Sequence, residues 1–362
     1  MEKIRVSLPI NSYDILIGHH IEQHIIDSIK AAKLSHESLI VTDSNVGKLY
    51  ADKFKALLKE AELSAEVHII PAGEESKSLK EAEKIYTRAI EAGLDRHSAI
   101  FALGGGVVGD LAGFIAATYM RGVPFYQIPT SLLAQVDSSV GGKVAVDHHL
   151  GKNLIGAFYQ PKEVWIDLSY LKTLPKRELY TGLGEVIKYG IIEDKDFFDY
   201  LDAHADDVLS YNDEALFHIV KRSCEIKADV VGQDEHDNGI RGILNFGHTM
   251  GHAIEKETNF ARYNHGEAVA IGMIGAAHLS HELGMINDDT VHRVVKAIEK
   301  YHLPQRAEGC TVDGMMHDIL HDKKTVNGIV HWVLMNGIGN VIIRDDVPDD
   351  AVRKCISKII TK

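Results

Sequence analysis

Three histidines crowd one short stretch of the chain. Asn245-Phe246-Gly247-His248-Thr249-Met250-Gly251-His252 is followed by Asn264-His265-Gly266-Glu267. His248 and His252 stand four apart and would face the same way on a helix. Residues 247–255 are otherwise mostly small or apolar, so these histidines face a site or a packed interior. Asn264 as N-cap with Glu267 at N3 would start the next helix and put His265 in its first turn. Glu185 and Lys188 are three apart on another helix candidate and share a face, for which the plain alternative is a surface ion pair. A lone histidine is usually structural. Three of them with a helical glutamate argue for a metal site of one carboxylate and two imidazoles, which leaves a position open for substrate oxygens. Spacing alone favours His248 and His252 as the ligand pair, and it leaves open which two of the three histidines bind.

A second chemistry is written upstream. Leu103 closes an apolar run and is followed by Gly104-Gly105-Gly106-Val107-Val108-Gly109-Asp110, a G-x-G-x-x-G pattern between a strand and a helix. Such glycines permit positive φ and let backbone N–H groups approach a pyrophosphate at a helix N-terminus. The acid usually found about 20 residues later is missing, because Tyr126-Gln127-Ile128-Pro129 occupies that region. Asp43, after an earlier strand, could accept hydrogen bonds from a ribose instead, or serve only as a turn or N-cap residue. Gly73-Glu74-Glu75-Ser76-Lys77 is another polar loop after a strand. Residues 129–156 add Thr130, Ser131, Asp137, Lys143, Lys152 and Asn153. Small residues, two lysines and an asparagine suit a loop that wraps a polyanion; the alternative is a surface loop with solvated lysines.

These residues need a scaffold, and the hydrophobic pattern supplies one. Apolar runs at 13–17, 38–42, 67–70, 99–103, 125–128 and 164–166 alternate with helical patterns at 21–33, 46–62 and 78–93. That alternation predicts a Rossmann-like parallel sheet covered by helices. Beyond about residue 170 the pattern turns helical, at 177–191, 195–209, 213–231, 247–257, 265–283, 288–301 and 312–321. Strand signals return only at 330–334 and 340–343. The expectation is an α/β domain over 1–170, then a mainly α-helical domain over 171–362.

The chain of 362 residues has 39 basic and 52 acidic side chains and a net charge of −13, with 45% hydrophobic residues. That balance argues against nucleic acid or an anionic membrane as the main partner. The most continuous apolar stretch, 268–277, is about half a membrane span. Cys224, Cys310 and Cys355 are widely spaced with no CxxC pair, and no signal peptide is read at the N-terminus. A cytoplasmic protein is expected.

Taken together, the motifs resemble the 3-dehydroquinate synthase family, within the sugar-phosphate cyclases. The matching stretches are 104–114, 129–143, 152–160, 182–190, 244–255, 264–273 and 322–328, in the family's order and at compatible spacing. The resemblance implies an NAD-binding α/β domain, a helical domain, an active site in the cleft between them, and a homodimer. It implies a divalent metal, zinc or cobalt, held by Glu185, His248 and His265, which overrules the spacing preference for His252. NAD+ contacts carry over to Asp43, Glu74, Lys77, Gly106, Val107, Asp110, Thr130, Ser131, Lys143 and Lys152, with Val108 and Gly109 in the same turn. Substrate contacts carry over to Asp137, Asn153, Lys188, Lys227, Arg241, Asn245 and His252, with one or both of Lys323 and Lys324. Arg121 would reach the neighbouring subunit's phosphate pocket.

The implied substrate is a small sugar acid phosphate, 3-deoxy-D-arabino-heptulosonate 7-phosphate. The implied course is transient oxidation by NAD+, β-elimination of phosphate, reduction, ring opening and an intramolecular aldol closure. This is the second step of the shikimate pathway, towards chorismate and the aromatic amino acids. The competing readings are another sugar-phosphate cyclase, acting on a substrate without a carboxylate, and a metal-dependent polyol dehydrogenase.

Overall fold

The computed structural model describes residues 1–321 and 330–361. Its contacts divide into two units, one of Met1–Leu174 with Lys227–His236, the other of Pro175–Ile226 with Asp237–Lys362. The expected single cut after residue 170 therefore misses a return segment, the end of a long helix that groups with the first unit.

The first unit runs β1 (Glu2–Val6), β2 (Tyr13–Gly18), α1 (Glu22–Ala32), β3 (Glu37–Asp43), α2 (Gly47–Glu60), β4 (Ser64–Ile70) and α3 (Leu79–Glu91). It continues with β5 (Ile100–Gly104), α4 (Gly106–Thr118), β6 (Phe125–Pro129), β7 (Lys143–His148), β8 (Gly151–Phe158) and β9 (Glu163–Asp167). Seven strands form one sheet in the order β1-β2-β9-β6-β5-β3-β4, parallel except for the antiparallel pairing of β1 with β2. Both faces are covered, which is why the strands read as unbroken apolar runs. Leu39, Val41, Ile100 and Ala102 point into a core shared with α3, α4 and β7. Their neighbours Ile40, Phe101 and Leu103 point the other way, towards α1 and α2. On that face the rings of Phe101, Tyr126 and Trp165 stack in a cluster, with centroids 4.9 to 6.2 Å apart.

Strand order reverses between β3 and β5: β4 lies beyond one, β6 and β9 beyond the other. In open parallel sheets, ligands bind outside the carboxyl ends of the strands at such a point. Asp43 ends β3 and Gly104 ends β5, so two of the residues singled out in the sequence flank it.

The second unit contains α5 (Lys176–Ile192), α6 (Lys195–Ala203), α7 (Ala205–Leu209), most of α8 (Asp213–Gln233), α9 (His248–Glu257) and α10 (His265–Glu282). Then come α11 (Asp288–Lys300), α12 (Val312–Leu320), the hairpin β10 (Trp332–Met335) and β11 (Val341–Arg344), and α13 (Asp349–Ile359). Helix α10 is the hub, packed against α5, α9, α11, α13 and β10. Residues 268–277 are all buried, as a helix apolar on every side must be. Among the described residues no helix is long and apolar enough to cross a membrane.

Glycines let the helices approach closely. A Cβ on Gly266 of α10 would lie 1.8 Å from the carbonyl oxygen of Thr181 in α5, and one on Gly184 would lie 2.5 Å from the Gly266 carbonyl oxygen. The reciprocal contact brings Glu185 beside the start of α10.

Several elements escaped the sequence reading. The edge strand β1 and the final helix α13 were not expected. Residues 129–156 are no simple loop, since they contain a five-residue π-turn over Ala134–Ser138 and the β7–β8 hairpin. The helix expected over 195–209 breaks at His204 into α6 and α7.

Candidate active site

In the first unit the glycine turn is built for close approach rather than for left-handed backbone. None of Gly104, Gly105, Gly106 and Gly109 has positive φ, so of the two expected reasons for them the left-handed backbone does not hold. A Cβ on Gly104 would strike Val108 at 2.6 Å, one on Gly106 would lie 3.0 Å from Ser138 Oγ, and one on Gly109 would lie 2.8 Å from Gln127 Oε1. Helix α4 begins at Gly106, so Gly106, Val107 and Val108 present N–H groups that the helix itself leaves unbonded. Gly109 donates its N–H to the Gly105 carbonyl, so its part is to make room for Gln127. The Val108 side chain belongs to the core.

Around that helix start lies a chain of charges. Lys77, 4% exposed, places Nζ 2.6 Å from Asp110 Oδ2, 2.5 Å from Asn153 Oδ1 and 3.9 Å from Glu74 Oε1. Lys152 Nζ lies 3.8 Å from the same Glu74 oxygen. Burial raises the pKa of the Asp110 carboxyl, partly offset by Lys77, and burial likewise raises that of Glu74. Burial opposes the Lys77 charge, but Asp110 and Glu74 more than offset it, and its pKa ends above the usual value. Asn153 sits at φ +58° in β8, held by its own N–H to Asp147 Oδ1 at 2.8 Å. The sequence reading passed over Asp147; its signal is the Asp-His-His-Leu-Gly turn that precedes Lys152.

Thr130 donates its N–H to the Gly104 carbonyl, and Ser131 lies beside Gly105. Asp43 Oδ1 accepts from the N–H groups of Asn45 and Val46, so this oxygen serves the turn. Asp137 lies in the π-turn, a distortion that often marks functional positions. Lys227 Nζ donates to the Asp137 carbonyl and to its Oδ1, each at 2.7 Å. Lys143 opens β7 and is exposed. Arg121 is not brought to this group. It lies past the far end of α4, a helix roughly 20 Å long, exposed and at φ +69°.

In the second unit, Glu185, His248 and His265 offer one ligand atom each, all within 4.8 Å of one another. Glu185 is fully buried, and its Oε1 has no hydrogen-bond partner. That oxygen lies 3.5 Å from His248 Nε2 and 3.6 Å from His265 Nε2. Donors about 2.1 Å from one tetrahedral cation stand roughly 3.4 Å apart, so the spacing fits three ligands of a divalent ion. Glu185 Oε2 is taken by the buried Lys188 ammonium. His248 Nδ1 lies 3.1 Å from the Phe246 carbonyl, which favours the proton on Nδ1 and leaves the Nε2 lone pair facing Glu185. Gly247, the N-cap of α9 at φ +79°, sets this start, and a Cβ there would meet Met273 at 2.6 Å. The expected Asn264–Glu267 capping box is present and begins α10 at His265.

His252 lies one turn after His248 and forms a second close group with Glu255 and His265. Glu255, buried and beside His265, was not singled out, although it stands three residues after His252, a spacing that shares a helix face. Arg241, 3% exposed, and Asn245 lie on a 3-10 turn over Ile240–Asn245 that leads into α9. Lys323 and Lys324 lie outside the described residues.

Two family models match consecutive stretches, the 3-dehydroquinate synthase N-terminal region over residues 67–181 and its C-terminal region over residues 182–325. A 3-dehydroquinate synthase of Caldanaerobacter subterraneus subsp. tengcongensis is 49% identical over 353 residues, covering 98% of this chain and 99% of the relative. Among solved structures, 2-epi-5-epi-valiolone synthase of Streptomyces hygroscopicus subsp. jinggangensis, with NAD+ and Zn2+ bound, superposes with a TM-score of 0.89 at 27% identity, covering 96% of each chain. A 2-deoxy-scyllo-inosose synthase complexed with carbaglucose-6-phosphate, NAD+ and Co2+ gives 0.89 at 25% identity, covering 99% of this chain and 100% of that one. With both halves matched and near-half identity sustained over almost the full length, the chain belongs to the 3-dehydroquinate synthase family.

Proposed function

We propose how this chain's residues divide the work of the 3-dehydroquinate synthase reaction, the conversion of 3-deoxy-D-arabino-heptulosonate 7-phosphate into 3-dehydroquinate and phosphate. The observation that carries the reading is the buried, unpartnered Glu185 Oε1 facing two imidazole nitrogens. A carboxylate oxygen opposite two lone pairs is repulsive without a cation between them. Bound there, zinc or cobalt supplies Lewis-acid polarisation of a hydroxyl and of the ketone derived from it, and NAD+ supplies a hydride acceptor regenerated in each cycle.

Glu185, His248 and His265 hold the cation, and Lys188 neutralises the second Glu185 oxygen. Gly106, Val107 and Val108 offer N–H groups to a pyrophosphate at the start of α4, beside Thr130 and Ser131. Asp43, Glu74, Lys77, Asp110 and Lys152 complete the NAD+ contacts, with Gly109 shaping the turn. Lys143, Lys227, Arg241 and Asn153 orient the anionic and hydroxyl groups of the substrate, while Asp137 fixes the Lys227 ammonium. Asn245 and His252 position hydroxyls or pass protons through water. Lys323 and Lys324 are assigned by resemblance alone.

We further propose a homodimer in which Arg121, exposed on its bend, serves the neighbouring subunit. A cytoplasmic location fits three cysteines that form no disulfide. The test supplies the heptulosonate phosphate with divalent metal and catalytic NAD+. Phosphate and 3-dehydroquinate should appear in equal amounts over many turnovers per NAD+. NADH accumulating in step with substrate consumption would place the chain with the dehydrogenases instead.

A further inference from the structure

The two histidines that face Glu185 differ in how they are held. His248 is nearly buried and its Nδ1 is fixed by a backbone carbonyl of its own segment, that of Phe246. His265 is the first residue of α10, and its side chain remains 32% exposed. Packing alone constrains it less, yet its Nε2 must point at the same Glu185 oxygen. On the other side of its ring lies Glu255, whose Oε1 is 3.5 Å from His265 Nδ1. Glu255 is 6% exposed, on the inner face of α9, one turn beyond His252. A carboxylate buried this deeply is expensive unless it accepts hydrogen bonds or meets positive charge.

We propose that Glu255 is a positioning residue for the metal centre. It accepts the Nδ1 proton of His265, which fixes the tautomer, leaves the Nε2 lone pair for the cation and turns that lone pair towards Glu185. A carboxylate at this place also makes the imidazole a stronger donor than a neutral acceptor would. The arrangement gives the two ligands different anchors, a carbonyl behind His248 and a carboxylate behind His265. His265 is therefore the ligand whose aim depends on a replaceable side chain. This proposal rests on the assignment of His265 as a ligand.

The experiment uses the full-length chain, stripped of metal with a chelator and titrated with Zn2+ against a competing fluorescent indicator. Glu255→Ala should weaken Zn2+ binding roughly 10- to 100-fold, the range typical of lost outer partners. Glu255→Gln, whose amide oxygen can still accept, should retain most of the affinity. In Co2+-loaded protein both variants should shift the visible absorption bands, because the ligand field at His265 changes. NAD+ affinity and the circular dichroism spectrum should stay as in wild type. If Glu255→Ala does not fold, the Co2+ spectrum of Glu255→Gln decides the matter. His265→Ala separates the two layers of the argument. If it retains wild-type Zn2+ affinity, the ligand assignment falls and the proposal with it. If it loses Zn2+ while both Glu255 variants bind Zn2+ and absorb as wild type, only the role of Glu255 is overturned.

Discussion

Lys77 Nζ lies 2.6 Å from Asp110 Oδ2, and both side chains are largely withdrawn from water, at 5% and 18% exposure. Burial pushes the Asp110 pKa above its usual value even with the lysine beside it, while its acidic neighbours hold the Lys77 pKa above normal. For an acid with a raised folded pKa, the contribution to stability is fully present below the unfolded value and fades as pH rises through the folded one. For Lys77 the contribution persists below the ordinary lysine value and is lost only in strong alkali. Lys77→Met removes the charge that tempers Asp110. We expect the variant without NAD+ to lose about 3–5 kcal/mol at neutral pH, and less at acid pH, where the carboxyl is neutral. Urea unfolding at several pH values checks this, and a penalty that shrinks as pH rises contradicts it. Lys77→Met/Asp110→Asn should recover much of the loss.

The ligand assignment makes a sharper claim about four side chains. Alanine at Glu185, His248 or His265 removes a proposed donor and should abolish retention of Zn2+ through gel filtration, together with turnover. His252→Ala should keep the metal and lose turnover, since His252 stands beside the trio without closing on Glu185. Metal analysis of the four variants decides between them. Zn2+ lost from His252→Ala and kept by His265→Ala would reverse the assignment, in favour of the pair that helical spacing alone prefers.

How legible this was depends on what each signal measures. Helices with one apolar face announced themselves, and Asn264 with Glu267 located the start of α10 to the residue. The hairpin of β7 and β8 did not, because β8 is exposed along most of its length and its Gly-Lys-Asn start breaks any alternation. The π-turn carrying Asp137 depends on one extra residue per turn, which periodicity cannot register. The proposed trio of ligands comes from three helices, α5, α9 and α10, so only resemblance could prefer His265 to His252. Asp147 and Glu255 bind neither ligand nor substrate in this scheme. They hold residues that do, and their local signals, a turn before Lys152 and a three-residue step from His252, do not say which residue each one would hold.

The approach of α5 to α10 at Gly184 and Gly266 is what brings Glu185 to His265. A methyl group on Gly266 would sit 1.8 Å from the Thr181 carbonyl oxygen. That contact is backbone and cannot swing aside, so the helices must part. Gly266→Ala should therefore cost about 1–3 kcal/mol by overpacking and weaken Zn2+ binding as well. Gly284→Ala is the control. Gly284 has φ +73° with nothing within 4 Å of an added Cβ, so its penalty should be about 1 kcal/mol of backbone strain, with Zn2+ affinity unchanged. Chemical denaturation and metal titration of both variants test the distinction. Equal metal affinity in the two would show that the close approach does not position the ligands.

The role proposed for Arg241 makes a claim about substrate choice. Its side chain is 3% exposed on the turn that leads into α9, three residues before Leu244 and seven before His248. A guanidinium can bind a carboxylate through two parallel hydrogen bonds, which a sugar phosphate lacking that group cannot engage. Losing a donor to a buried charged group typically costs 2–5 kcal/mol, so Arg241→Ala should lower kcat/KM for the heptulosonate phosphate by roughly 30- to several-thousand-fold. NAD+ affinity should barely change, since the proposed cofactor contacts lie in the first unit. Wild type should reject sedoheptulose 7-phosphate and glucose 6-phosphate, which leave the carboxylate donors without a partner. Steady-state assays with the three substrates decide the question. Turnover of either sugar phosphate at a rate comparable to the heptulosonate phosphate would assign the chain's specificity to another cyclase branch, and would leave the metal and NAD+ residues where they are placed here.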